Sequence, residues 1–128
     1  MLEKLIGQLS QELAMEDLIS LTEDHHYHLP FENDIEIEAV ELEKGVLLKG
    51  VIGERPEQNA DAFLLRTMEA NLFGIGTRGA AIGLKEEGKV LTLSLELDYN
   101  SSYKDFKEKL EDFISVLDFW RKEALKHQ

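Results

Sequence analysis

The chain has 128 residues and a formal net charge of −12, with 43% apolar and 31% charged side chains, which suits one globular domain and is too apolar for a disordered acidic tail. It has no cysteine, which excludes a disulfide framework, a thiolate nucleophile and a cysteine-ligated zinc site. Residues 1–64 carry 4 basic and 15 acidic side chains and residues 65–128 carry 10 and 11, so the first half repels phosphate and disfavours a nucleic-acid backbone or an anionic membrane.

Leu2, Leu5, Ile6, Leu9 and Leu13 recur at spacings of three and four, with charged and amide side chains between them. This predicts an amphipathic helix of about three turns, too short to persist unless it docks on something. The stripe is expected to be core, or in part an exposed docking surface because it lies near a chain end. Residues 14–24 read as an irregular connection. His25–Leu29 reads as a short strand stopped by Pro30.

Ile35, Ile37 and Ala39 then alternate with Glu36 and Glu38, and Val40 and Leu42 alternate with Glu41 and Glu43. The apolar phase slips by one between Ala39 and Val40, which predicts a bulge or sharp bend there. Glu43-Lys44-Gly45 reads as a tight hairpin turn, with Gly45 able to take positive φ, and Val46–Ile52 as the return strand. Pro56 to Asn59 opens a second helix with the stripe Phe63, Leu64, Met68 and Leu72, closed by Gly74. A second hairpin pairs Ala80–Leu84 with Val90–Leu97, the latter placing Leu91, Leu93, Leu95 and Leu97 on one face. The last helix is capped by Ser102, with Asp105 three residues on. Its face is Tyr103, Phe106, Leu110, Phe113, Ile114, Leu117 and Trp120, and it runs about five turns to Lys126. The order is α-β-β-β-α-β-β-α. The expected class is α+β, a single domain of antiparallel sheet packed with helices.

Motifs with chemistry are few. Gly74-Ile75-Gly76-Thr77-Arg78-Gly79 matches G-x-G-x-x-G, but it follows a helix and opens a strand, the reverse of what a pyrophosphate needs, so it reads as a turn. His25, His26 and His28 cluster near Glu23 and Asp24 without a distal ligand, so no metal site is assigned. No serine sits in a G-x-S-x-G elbow, and no carboxylate is isolated in an apolar run where its pKa would rise. No enzymatic activity and no cofactor are expected. The apolar runs are too short to cross a bilayer, and Met1–Leu5 lacks a signal peptide's apolar core, so the expected location is cytoplasmic, without membrane insertion.

Met68-Glu69-Ala70-Asn71-Leu72-Phe73-Gly74, then Gly76-Thr77-x-Gly79-Ala80-Ala81-Ile82-Gly83-Leu84, strongly resembles the signature of class I type III secretion chaperones, the Tir-chaperone (CesT) family. The Glu87-Gly88-Lys89 turn with Val90–Leu97, and Tyr103-x-x-Phe106, Leu110-Glu111-x-Phe113 and Trp120-Arg121 of the last helix, also resemble that family. The likeness covers most of the chain, residues 14–34 matching in outline only.

The resemblance implies a bacterial, ATP-independent chaperone. It would bind the N-terminal region of a secreted effector in extended form, keep it secretion-competent and target it to the export apparatus. It implies a homodimer, or a heterodimer with a related chaperone, with Phe63, Leu64, Met68, Leu72, Phe73 and Ile82 at the interface. Client contacts would fall on Leu2, Leu5, Ile6, Leu9 and Leu13, and on Ile35, Ile37 and Val46 of the sheet. The alternative is a non-secretory interaction or regulatory module of the same fold.

Overall fold

The computed structural model describes residues 2–15, 18–23, 25–54, 62, 63, 65–67, 69, 80–98 and 102–126. Helix α1 (Leu2–Leu13) is followed by strands β1 (Ser20–Glu23), β2 (His26–Pro30), β3 (Glu36–Leu42) and β4 (Gly45–Glu54). The described residues among 62–69 are helical (α2), and β5 (Ala81–Lys85), β6 (Val90–Asp98) and α3 (Tyr103–Lys126) complete the chain. The six strands form one sheet in the order β1-β2-β3-β4-β6-β5, and every neighbouring pair is antiparallel.

The α+β class and the sheet-plus-helices architecture agree with the sequence reading, with three local corrections. Residues 14–24 are not wholly irregular, because Ser20–Glu23 pairs with β2 as an extra edge strand. β3 has no bulge at Ala39–Val40, for its pairing with β2 and β4 runs through both residues without a shift. The phase slip arises because Ala39 is buried under the helices and Val40 on the opposite face, so two consecutive apolar residues satisfy two faces of one straight strand. Third, Gly45 has no positive φ; it is the first residue of β4, paired with both Leu42 and Asp98. The bulges fall between Leu21 and Glu23, and between Val51 and Gly53, where Gly53 adopts φ +147°.

The core lies on one face of the sheet. Leu29, Ile37, Ala39, Val46, Leu48, Leu91, Leu93 and Leu97 point toward the helices, and Leu2, Leu5, Ile6 and Leu9 of α1 and Phe106, Leu110, Phe113, Leu117 and Trp120 of α3 close over them. α3 is capped as expected, the Asp105 N–H donating to Ser102 Oγ at 3.1 Å. At 24 residues it runs well beyond five turns. It approaches β4 at Gly50, the central position between Ile37 and Leu93. A Cβ on Gly50 would lie 2.6 Å from Leu117 Cδ2. The missing side chain is what lets the helix lie this close.

α1 is held at both ends by carboxylate contacts between residues distant in sequence. The Leu2 N–H donates to Glu41 Oε1 at 3.1 Å, and His25 Nδ1 lies 3.0 Å from Glu41 Oε2. Glu41 shares the helix-covered face with Val46, so β3 supplies the anion that the N-terminus of α1 favours. The hydrogen bond from Leu2 holds this carboxyl below its ordinary range. At the other end Glu12 accepts from Tyr103 Oη and pairs with Lys107, both on α3. The Lys107 bond, then the Tyr103 bond, lowers the Glu12 carboxyl. The chain leaves α1 through a Schellman turn, with Ala14 at φ +54° and the Met15 N–H donating to Ser10 O at 2.9 Å.

Two outcomes are expected. Gly50→Val should lower the urea midpoint by an amount equal to about 1–3 kcal/mol or more, since Leu117 is enclosed and cannot move aside. Burial, and secondarily the Glu12 carboxylate, push Tyr103 up to about 12 in the folded chain. A folded-state pKa raised above the ordinary 10 contributes stability below pH 10 that is lost as pH rises toward 12. Tyr103→Phe should therefore flatten the alkaline limb of a plot of melting temperature against pH, leaving the part due to the raised Lys107 and Tyr27.

Candidate functional site

The surface left open by this packing has a groove of about 640 Å³ beside the middle of α3. One wall is the connection from α1 to β1, with Met15 and Leu18; a second is the turn between β2 and β3, with Phe31 and Ile35; the third is α3, with Ile114. The β2–β3 turn folds back on itself, the Phe31 N–H donating to Ile35 O at 2.8 Å and the Ile35 N–H to Glu32 O at 3.3 Å. Asn33 and Asp34 take φ near +60°, a conformation that Asn and Asp tolerate better than most residues. Arg121 donates to Asn33 O at 3.3 Å and ties the turn to α3. Leu18 is 58% exposed, while Phe31 and Ile114 are half-buried. An isolated exposed leucine is ordinary, but one lying between two half-buried apolar walls presents a contact surface.

β1 is an edge strand. Among the described residues it pairs only with β2, and Leu21 on it is 59% exposed. Its outer side can accept an added strand through main-chain hydrogen bonds, and Leu18 stands just before it.

The client residues expected on α1 are placed otherwise than as a groove. Leu2, Leu5, Ile6 and Leu9 are all at most 7% exposed, and only Leu13, at 43%, reaches the surface. Ile35, Ile37 and Val46 are also buried, although Ile35 contributes to the groove just described and Ile37 to a hollow on the other face of the sheet. Of the residues expected at a dimer interface, Phe63 and Ile82 are buried in the core of this chain. Leu64, Met68, Leu72 and Phe73 lie outside the described residues, as does the glycine motif 74–79. Met15, Leu18, Leu21 and Phe31 were missed by sequence reasoning because they belong to no periodic run. The apolar Leu18 and Leu21, standing in a segment assigned to a connection, were the available signal.

α2 is locked to α3 by chemistry that sequence order does not reveal. Phe63 meets Trp120 edge-on with ring centroids 6.1 Å apart, and the Arg66 guanidinium lies 5.8 Å from the Trp120 ring centre. Arg66 also lies 2.8 Å from Glu123, a carboxylate that Lys126 and then Arg66 hold below its ordinary range. Glu36 and Glu38 face His28 and His26 at 3.6 and 2.8 Å. Among the described residues no group of three or more His, Asp or Glu side chains could hold a metal ion, and no helix is long and apolar enough to cross a membrane.

The matched family places this architecture. The chain belongs to the Tir chaperone protein (CesT) family, whose model matches residues 4–121. It is 30% identical over 122 residues to the Chlamydia pneumoniae protein CPj0713/CpB0740, covering 94% of this chain and 93% of that one. The fold is shared with a chain of the HopA1–SchA chaperone–effector complex at TM-score 0.72 and 15% identity, covering 94% and 92% of the two chains. It is shared with the Yersinia pestis type III secretion chaperone SycH, solved with a fragment of YscM2, at TM-score 0.66 and 19% identity, covering 98% of each. YbjN of E. coli, a proposed transcription regulator, has the same fold at TM-score 0.59 and 16% identity, covering 97% and 95%.

The placement of α1 has a direct test. Leu5→Asp should abolish cooperative folding, since burying a carboxylate in the core adds a desolvation cost to the roughly 1.5–3 kcal/mol lost with the leucine. Leu13→Asp should leave the urea midpoint nearly unchanged.

Proposed function

We propose that this chain is a type III secretion chaperone acting in the bacterial cytoplasm, without ATPase or other enzymatic activity. It holds the N-terminal segment of a secreted effector in extended form, keeps it secretion-competent and delivers it to the export apparatus. The observation that carries this reading is the apolar groove of about 640 Å³ standing beside the edge strand β1, whose outer side pairs with no described strand, in a chain of the CesT family. An extended client can add its backbone to β1 while setting apolar side chains against Leu18, Phe31 and Ile114. Ordering such a client costs several kcal/mol, which only a long contact offsets. A dimer would supply that length by presenting two grooves to one client.

The fold of YbjN supports a second reading, an interaction module unconnected with secretion. One experiment separates the two. The chain is co-expressed with candidate secreted proteins and the complex is probed by limited proteolysis. Protection of an N-terminal, otherwise unstructured segment is the expected result; capture of a folded globular domain favours the module. Leu18→Arg should weaken client binding at least about tenfold with no change in the urea midpoint, because this exposed leucine supports the contact and not the core. Unchanged affinity in that variant would remove the groove from the proposal.

A further inference from the structure

The groove and the hollow described above differ in charge. The hollow, of about 660 Å³ on the face of the sheet away from the helices, mixes both signs, with Glu36 and Glu38 beside Lys49 and Lys85. The groove carries one sign, for its charged lining residues are Glu32 and Asp118. Between Lys4 and Lys44 the sequence has 11 aspartates and glutamates and no lysine or arginine, and this stretch builds β1 and two of the groove's three walls. Its three histidines face Glu41, Glu38 and Glu36 and do not line the groove.

The acids stand next to the apolar contacts. Glu32 follows Phe31 in the β2–β3 turn, and Asp118 lies one helical turn beyond Ile114 on α3. Each of these two walls therefore sets a carboxylate beside an apolar side chain. Glu32 is exposed and makes no ion pair among the described residues. Asp118 meets Lys122 at 2.9 Å, but that lysine is largely exposed, and a partner's cation can take its place at little cost. The other nearby cation, Arg121, donates to Asn33 O and does not line the groove. A helical turn rises about 5.4 Å, and alternate side chains of an extended chain stand about 6.8 Å apart. A client residue seated against Leu18, Phe31 and Ile114 therefore brings the side chain two positions along to the acidic part of the groove. A carboxylate there is repelled by the whole acidic stretch, and a lysine or arginine is attracted by it.

We propose that the groove selects its client by charge: it takes an extended segment in which an aliphatic residue is accompanied, two positions away, by lysine or arginine, the cation lying against Glu32 and Asp118. This rests on the reading of the groove as the seat of an extended client and names the chemistry that client carries there.

The test is fluorescence anisotropy of the full chain with two labelled peptides, Thr-Val-Ser-Leu-Ser-Arg-Ser-Val-Thr and its Arg→Gln form. The arginine peptide should bind about twofold to fivefold more tightly, the range of exposed ion pairs. At about 1 M salt, where the Debye length is about 3 Å, the two affinities should converge. Glu32→Gln should erase most of the preference without changing the glutamine peptide's affinity or the urea midpoint. Glu86→Gln, in the turn at the opposite edge of the sheet from β1, should keep it. Leu18→Ser should weaken both peptides. Equal binding of the two peptides, a preference that survives Glu32→Gln, or one that Glu86→Gln reduces as much overturns the proposal, while sensitivity to Leu18→Ser leaves the groove standing as a client seat. If neither peptide binds, or Leu18→Ser changes nothing, the groove reading fails and this proposal with it.

Discussion

The close seating of α3 on the middle of the sheet governs the rest of the molecule. Gly50 has no side chain where Leu117 needs room, and around that contact Phe113, Trp120, Ile37 and Leu93 are all almost wholly enclosed. Protein interiors are packed too densely to absorb an extra carbon at such a point. Because α3 takes this face, α1 must pack beside it, and the strands are left with one dry side and one wetter side. That asymmetry creates both surfaces discussed above. The groove forms where α3 meets the β2–β3 turn, and the hollow forms where no described helix reaches.

Carboxylates serve as connectors in this acidic chain as well as solubilising it. Glu41 accepts from the N-terminus of α1, Glu12 ties the other end of α1 to α3, and Glu123 joins α3 to Arg66 of α2. Each is held below its ordinary range by a specific donor, so each contributes stability above that range and loses it as pH falls through it. For Glu12 and Arg66 solvent weakens the pair, and the geometric effect of fixing one helix against another matters more than its energy. These ties help explain why α1 is a sealed part of the core and not a mobile flap over it.

For the proposed role of holding an extended partner, this division of labour is physically sensible. The apolar residues that could bind a client on α1 would, if exposed, also bind other copies of the chain. Burying Leu2, Leu5, Ile6 and Leu9 while leaving Leu13, Leu18 and Leu21 at the surface keeps the contact apolar but narrow. β1 is only four residues long and carries a bulge, two features that discourage unwanted pairing at an edge.

Much of the fold was legible in local pattern. The 3.6-residue period of Leu2–Leu13, the run of alternate leucines at 91–97 and the Ser102 cap each specify an element through contacts within a few residues, and all three stand in the structure. The family signature at 68–84 was likewise readable, being a matter of residue identity and order. Which apolar faces are sealed and which are open was decided only by tertiary structure. An amphipathic stripe has the same period whether it meets its own sheet or a partner. The Glu41 cap on α1 spans 39 residues, and Leu18 and Phe31 come together only because the β2–β3 turn folds back onto α3. Such contacts depend on how distant segments pack, and no local periodicity encodes that.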